Sequence, residues 1–406
     1  MTSPLRPDSH TPDSDTPDSG TPDSGTPGSH SPDRGRRRRR TGLGRARSLL
    51  VVPVVLGALL ASCSGVTGGD PTSTSSTTTS STPSEAPPPS AAPRPDDPSA
   101  PPVERHGQLS VCGTDLCDES GQTVQLRGMS THGLQWYRQC LTDASLDVLF
   151  DEWRADLLRT SMYVHEGGYL TDPAAYTRTV SDLVDEIVER DRYAIIDWHV
   201  LTPGDPMGDV DAATEFFSGM AQRYADDPHV IYEIANEPNG VPWSRVKEYA
   251  DRVIPAIRAH DDDAVILVGT PAWSSFGVSE GGSPAEVVAD PIADDDVMYT
   301  FHFYAASFRE PYLDALAQAA AALPVFVSEF GAQESTGDGP NDFVMAQRFV
   351  DLMDAEQISW VVWNYSDDPL SGAAWIPGTC ASDGPWTADR LKPAGVWARD
   401  QLLAGR

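Results

Sequence analysis

Two glutamates stand where apolar runs stop. Val230-Ile231-Tyr232-Glu233-Ile234-Ala235-Asn236-Glu237-Pro238 ends on an amide, a carboxylate and a proline, and Pro324-Val325-Phe326-Val327-Ser328-Glu329-Phe330-Gly331 delivers a second carboxylate. Runs of this kind read as buried strands, so each acid is expected at the carboxyl end of its own strand. Two such acids meeting over one substrate bond suit glycosidic cleavage: one protonates the departing oxygen while the other meets an oxocarbenium-like carbon. The division of labour needs unlike environments. One must hold its proton near neutrality, and the other must stay ionised.

Positioning two such acids takes a sheet. Buried-strand candidates run from Val124 to Met129, Leu157 to Met162, Tyr193 to Trp198, Val230 to Ala235, Ala264 to Gly269, Val297 to Phe303, Val325 to Ser328 and Trp360 to Trp363. Helical patterns fill the gaps. Tyr176, Val180, Leu183, Val184, Ile187 and Val188 keep a 3.6-residue period, as do Phe216, Phe217, Met220 and Tyr224. Continuous apolar strands separated by amphipathic helices mean a parallel sheet, and eight such units predict an α/β protein built as a closed (β/α)8 TIM barrel. An open doubly wound sheet is the competing architecture. Gln108 to Gln122 precedes the first strand and reads as a short hairpin closing the barrel floor. No glycine-rich phosphate-binding turn follows any strand, which removes the usual nucleotide readings.

Barrel chemistry gathers at strand ends. In order, the strands end with His132 and Trp136; Arg159 and Tyr163; Asp197 and His199; Asn236 and Glu237; Trp273; His302 and Tyr304; Glu329; and Trp363. Any one of these has a structural explanation, but the set as a whole suits sugar binding.

Outside the barrel the chain reads differently. The first 105 residues hold 11 of the 29 basic and 11 of the 60 acidic residues, so the stretch from His106 onward carries the whole formal charge of −31. Such a surface repels phosphate backbones, which excludes nucleic acid as a partner. Residues 1–63 read as a leader and lipoprotein signal peptide: an arginine cluster at Arg36 to Arg40 precedes Leu49 to Ala61, an apolar stretch too short to span a bilayer. Leu60-Ala61-Ser62-Cys63 resembles a bacterial lipobox, with Cys63 the lipidated residue and the lipid anchor the only membrane contact expected. Residues 64–105 are rich in Ser, Thr and Pro and read as a disordered linker, with an end-to-end distance of about 35 Å if flexible. The catalytic barrel is expected over 106–406, as a monomer.

Four cysteines lie in that domain, allowing three pairings. Cys112 and Cys117 flank a short loop of the floor hairpin, whereas Cys140 follows the first strand and Cys380 the eighth, neighbours in a closed barrel. The expected pairs are therefore Cys112 with Cys117 and Cys140 with Cys380. No Cys-x-x-Cys or strand-end His-x-His offers a metal site, and the acidic loop of Asp205, Asp209 and Asp211 reads as a solvated face, so no metal or cofactor is expected.

From about Gly107 to Arg399 the sequence resembles glycoside hydrolase family 5, in particular its bacterial endo-β-1,4-glucanases. The resemblance is carried by Leu126 to Tyr137, Ile195 to His199, Val230 to Asn239, Met298 to Ala305 and Phe326 to Gly331, in that order and spacing. It implies Glu237 as general acid/base, Glu329 as nucleophile, retention of configuration, and carboxyls about 5 to 5.5 Å apart. It also implies Arg159 and Tyr304 on the nucleophile, Asn236 on the sugar 2-hydroxyl, His302 against the acid/base and His199 in the polar floor. Trp363 would stack beneath the cleaved sugar, with His132, Trp136 and Tyr163 on the non-reducing side and Trp273 on the leaving-group side. Departures at Asp367-Asp368, Leu370, Ser307-Phe308 and Trp375 bear on which β-glycan is preferred, so mannan, xyloglucan and mixed-linkage glucan stand beside cellulose. A non-catalytic glycan-binding lipoprotein is the remaining alternative.

Overall fold

The computed structural model describes residues 100–405. The expected leader, signal peptide, Cys63 and the linker before Ala100 lie outside these residues. After a short helix, an antiparallel hairpin, β1 (Ser110–Cys112) and β2 (Asp115–Cys117), supplies the first strands. Eight parallel strands follow: β3 (Arg127–Ser130), β4 (Leu157–Tyr163), β5 (Tyr193–His199), β6 (Val230–Glu233), β7 (Ile266–Val268), β8 (Val297–Tyr304), β9 (Val325–Gly331) and β10 (Trp360–Trp363). Strand β10 pairs back onto β3, closing the barrel as the periodicity predicts.

Alternation along the strands sorts the interior into layers. Near the amino ends, Leu157, Tyr193, Ile195, Ile231, Leu267, Met298, Phe326 and Val361 point inward. They pack with Val103, Leu109, Leu116, Val124 and Leu126 into one apolar floor. The hairpin thus plugs the barrel as expected, with two corrections. The first barrel strand begins at Arg127 rather than Val124, because the Val124 N–H donates to the Leu116 carbonyl and its side chain belongs to the floor. The linker boundary at Arg105 falls inside a helix, Pro102–His106, which buries Val103 in that floor; Gly107, at φ 60°, ends the helix and accepts a 2.7 Å bond from the Tyr193 hydroxyl.

The outer helices bury the faces their periods indicate. In Pro173–Val188, capped by the Asp172 side chain on the Ala175 N–H, Val180, Leu183, Val184 and Ile187 face the sheet. In Val210–Tyr224 the buried face includes Phe216, Phe217, Met220 and Tyr224. The acidic loop has local partners: Asp205 pairs with Arg245 at 3.1 Å, Asp209 with His165 at 2.7 Å and Asp211 with Arg252 at 2.9 Å. Cys112 adjoins Cys117 with Cα atoms 6.0 Å apart, and Cys140 adjoins Cys380 at 4.5 Å, the two expected pairings. The second pair joins the loop after β3 to the loop after β10.

Candidate active site

Above the floor the same inward alternation turns polar. On β4 it carries Leu157 to Arg159, Ser161 and Tyr163; on β5, Ile195 to Asp197 and His199; on β8, Met298 to Thr300, His302 and Tyr304. Glu329 is out of phase with Phe326, and a bulge corrects this. Thr300 and His302 of β8 pair with Phe326 and Glu329, and Trp360 and Val362 of β10 pair with Val327 and Phe330, so β9 carries one extra residue against both neighbours. The extra residue lets Ser328 and Glu329 both reach the interior. Asn236 and Glu237 lie beyond the end of β6, held by N–H bonds to the carbonyls of Trp198 at 3.1 Å and Val200 at 3.2 Å.

The two acids face each other. Carboxylate oxygens of Glu237 and Glu329 and a ring nitrogen of His302 all lie within 4.8 Å of one another. Glu329 accepts from the Tyr304 hydroxyl at 2.5 Å on Oε1 and from Arg159 Nη1 at 3.0 Å on Oε2. Glu237 Oε1 lies 3.0 Å from His302 Nδ1. The trio is compact enough to share a metal ion, but both Glu329 oxygens and His302 Nδ1 already have protein partners.

Arg159 is wholly buried and, in addition to 3.3 Å bonds to the Ser130 and Ser161 hydroxyls, serves four carboxylate or amide groups. Besides Glu329 it meets Glu233 through Nε at 2.5 Å, Asn236 Oδ1 through Nη2 at 2.6 Å and Asp197 Oδ2 at 3.0 Å. His199 Nδ1 donates to Asp197 Oδ2 at 2.7 Å, leaving Nε2 to accept from Asn236 Nδ2 at 3.3 Å. Burial, with Arg159 adjacent, pushes the His199 imidazole down to about 3, so it is neutral. Burial also lifts Asp197 well above the usual carboxylate range against the pull of Arg159; its Oδ1 has no hydrogen-bond partner among the described residues. Burial likewise raises Glu237, with the neighbouring Glu329 charge adding to the effect. For Glu329 burial acts upward too, but the positive charges of His302 and Arg159 and the Tyr304 hydrogen bond outweigh it, and its value is lowered. The acids are thus split in the sense that proton donation by one and attack by the other require.

A cavity of about 530 Å³ opens over the pair. Of the residues expected there, Glu237, Glu329, His302, Tyr304, His199, Trp363, His132, Tyr163 and Trp273 line it. Tyr163, Tyr304 and Trp363 form an apolar cluster, and His132 lies 5.1 Å from Trp363, centroid to centroid. Arg159 and Asn236 sit beneath, fully buried. Both hydrogens of the Asn236 amide have acceptors, His199 Nε2 and, at 3.2 Å, the Val200 carbonyl. Trp136 is outside the lining, 45% exposed, with its ring edge-on to Tyr163 at 5.0 Å. Trp273 reaches the cavity from a left-handed turn in which Ala272, Trp273 and Ser274 all have positive φ.

The sequence reading missed Glu233 and Ser328, and it named Phe308 and Asp368 only as departures bearing on the substrate. Glu233 and Ser328 lie under the acids, and Phe308 stacks on Tyr312 at 4.1 Å along one wall. The signal for Glu233 was a carboxylate inside an apolar run, four residues before Glu237. Asp368 lines the cavity and meets His132 Nε2 at 3.1 Å. Beneath it the Lys392 ammonium donates to the carbonyls of Asp368 and Leu370. Trp375, counted among the departures bearing on substrate, is fully buried between Trp153, Tyr365 and Trp386 and does not reach the cleft.

Two carboxylates a few ångströms apart, split in acidity and walled by aromatic rings at the carboxyl mouth of a (β/α)8 barrel, define a glycoside hydrolase. Comparison with known proteins narrows the class. Residues 117–369 match the family model for cellulase of glycosyl hydrolase family 5, and the chain belongs to that family. It is 55% identical over 314 residues to Endoglucanase E-5 of Thermobifida fusca, covering 76% of this chain and 67% of that protein. To Endoglucanase MaCel5A of a Microbulbifer species it is 52% identical, covering 74% and 59%. It therefore spans only about two thirds or less of these relatives' own lengths. The crystal structure of the catalytic domain of the Thermobifida fusca endoglucanase superposes with a TM-score of 0.74 at 56% identity, over 75% of this chain and 99% of that domain. A variant of that domain has been solved with cellotetraose.

Proposed function

We propose that the chain is an endo-acting β-1,4-glucanase that works by double displacement, with Glu237 as acid/base and Glu329 as nucleophile. The observation that carries this reading is that an oxygen of each carboxyl lies within 4.8 Å of one of the other's. So close an approach suits the roughly 5 to 5.5 Å spacing of retaining enzymes better than the roughly 6.5 to 9.5 Å that an intervening water needs. In the first step Glu329 attacks the anomeric carbon while the Glu237 proton passes to the departing oxygen, leaving a glycosyl ester. In the second, Glu237, now a carboxylate, takes a proton from water as the water displaces Glu329.

Trp363 supports the sugar at the cleaved bond, His132, Tyr163 and the outlying Trp136 extend the non-reducing side, and Trp273 serves the leaving group. Asn236 meets the sugar 2-hydroxyl by exchanging one of its two long amide bonds. The Thermobifida fusca complex with cellotetraose favours a β-glucan as substrate. The signal-like segment, Cys63 and the Ser/Thr/Pro stretch support export, a lipid anchor and display of the barrel away from the membrane. Among the described residues no helix is long and apolar enough to cross a membrane. The two cysteine pairs are proposed to be disulfides, as suits an exported protein.

Labelling with a 2-fluoro-cellobioside, which traps the glycosyl ester, tests the assignment. Modification of Glu329 is expected, and modification of any other residue would overturn it. Reducing-end release from soluble glucan, mannan and xyloglucan tests the substrate.

A further inference from the structure

Glu233 is fully buried at the end of β6, and its two oxygens serve different partners. Oε2 accepts from Arg159 Nε, and Oε1 accepts from the Ser328 hydroxyl at 2.7 Å. With its hydrogen committed to Glu233, Ser328 can only accept from the ring nitrogen that faces it, His302 Nε2 at 2.9 Å. Nε2 therefore carries a hydrogen. The other ring nitrogen, Nδ1, faces Glu237 Oε1 at 3.0 Å.

Two protonation patterns fit that last contact, and they differ in where the acid proton sits. A neutral imidazole would accept the carboxyl proton at Nδ1, holding it on the inner oxygen Oε1. An imidazolium donates from Nδ1 to Oε1, so that the carboxyl proton resides on Oε2. Only the second pattern leaves the proton free for a leaving group. Glu233 selects between them, since its Oε1 lies only 3.8 Å from His302 Nε2 and both groups are buried, where an anion strongly favours a cation.

We propose that Glu233, acting through Ser328, holds His302 as an imidazolium and thereby keeps the proton of Glu237 on Oε2, making Glu233 a positioning residue for proton donation. The surrounding charges agree. Burial works against the His302 cation, but the nearby carboxyl groups of Glu233 and Glu237 carry its value up to about 9. Burial also works against the Glu233 anion, which Arg159 and His302 bring down to about 2. Arg159 from β4 and His302 from β8 are the cations at this level, facing Glu233 from β6, Glu329 from β9 and Asp197 from β5, while His199 is neutral. Tyr163 and Tyr304, the remaining titratable groups at this level, are held protonated by burial.

The proposal rests on Glu237 being the acid, and the experiment separates the two ideas. Glu233→Gln, Ser328→Ala and Glu237→Gln are compared by kcat/KM on a cello-oligosaccharide, whose alcohol leaving group needs a proton, and on a dinitrophenyl cellobioside, whose leaving group does not. General acid catalysis supplies about 10²–10⁴-fold. Glu233→Gln and Ser328→Ala are expected to lose about 10- to 100-fold on the first substrate and less than about 3-fold on the second. The alkaline limb of the oligosaccharide profile should move to higher pH, because Glu237 loses its cationic neighbour. If Glu237→Gln is not itself selective, the acid assignment fails. If it is selective, then equal losses on both substrates in Glu233→Gln, or a fixed alkaline limb, overturn this proposal alone. Ser328→Ala, which keeps the Glu233 to Arg159 pair, decides by the same criteria should Glu233→Gln not fold.

Discussion

Replacing Tyr304 by Phe removes a single oxygen from the site. The ring that packs with Tyr163 and Trp363 stays, and Arg159 keeps its 3.0 Å bond to Glu329 Oε2, so what is lost is the 2.5 Å hydrogen bond to Oε1. A hydrogen bond to a charged group is worth about 1.5–3 kcal/mol. At about 1.36 kcal/mol per pKa unit, its loss should raise the Glu329 value by about 1–2 units. The sign follows from which form the donor stabilises: Tyr304 favours the carboxylate, whose value is already lowered, so its removal lets the proton return at higher pH. A protonated Glu329 cannot attack. The acidic limb of kcat/KM on a soluble cello-oligosaccharide should therefore move to higher pH by about 1 unit or more, with the alkaline limb nearly fixed. A limb that stays in place, or moves to lower pH, would refute the view that Tyr304 sets the ionisation of the nucleophile.

Other outcomes follow from the same geometry. Asp261, buried beside the Tyr232 hydroxyl at 3.0 Å, is pushed up to about 6 by burial. The folded chain therefore holds a proton there that the unfolded chain has already released, and stability falls as pH rises from about 4 to about 6. Asp261→Asn should raise Tm at neutral pH, with the gain vanishing below that window. Replacing Cys140 and Cys380 by serine opens a loop of 240 residues and should cost about 3–5 kcal/mol in denaturant unfolding. Because that pair ties the His132 loop to the Asp368 loop, KM for long oligosaccharides should rise more than kcat falls. Trp375→Ala should cost about 3–5 kcal/mol in the same unfolding assay and leave the order of preference among soluble glycans unchanged.

Much of this was written in local pattern. Eight apolar runs separated by helical patterns make the barrel legible, and the residues where those runs stop mark its mouth; alternation along Leu157 to Tyr163 or Met298 to Tyr304 fixes which side chains share a face, whatever the strand pairs with. Tertiary structure decided what depends on neighbours. The bulge in β9 exists only against β8 and β10, and without it Glu329 would turn outward. Trp375 looked like a cleft residue until Trp153, Tyr365 and Trp386 enclosed it. Glu233 drew no reading from the sequence; its place between Arg159 and Ser328 depends on β4, β6 and β9 meeting inside one cylinder. Sequence determines sidedness because sidedness is a property of the backbone repeat, whereas register shifts, burial and proton placement arise from contacts between segments far apart in the chain.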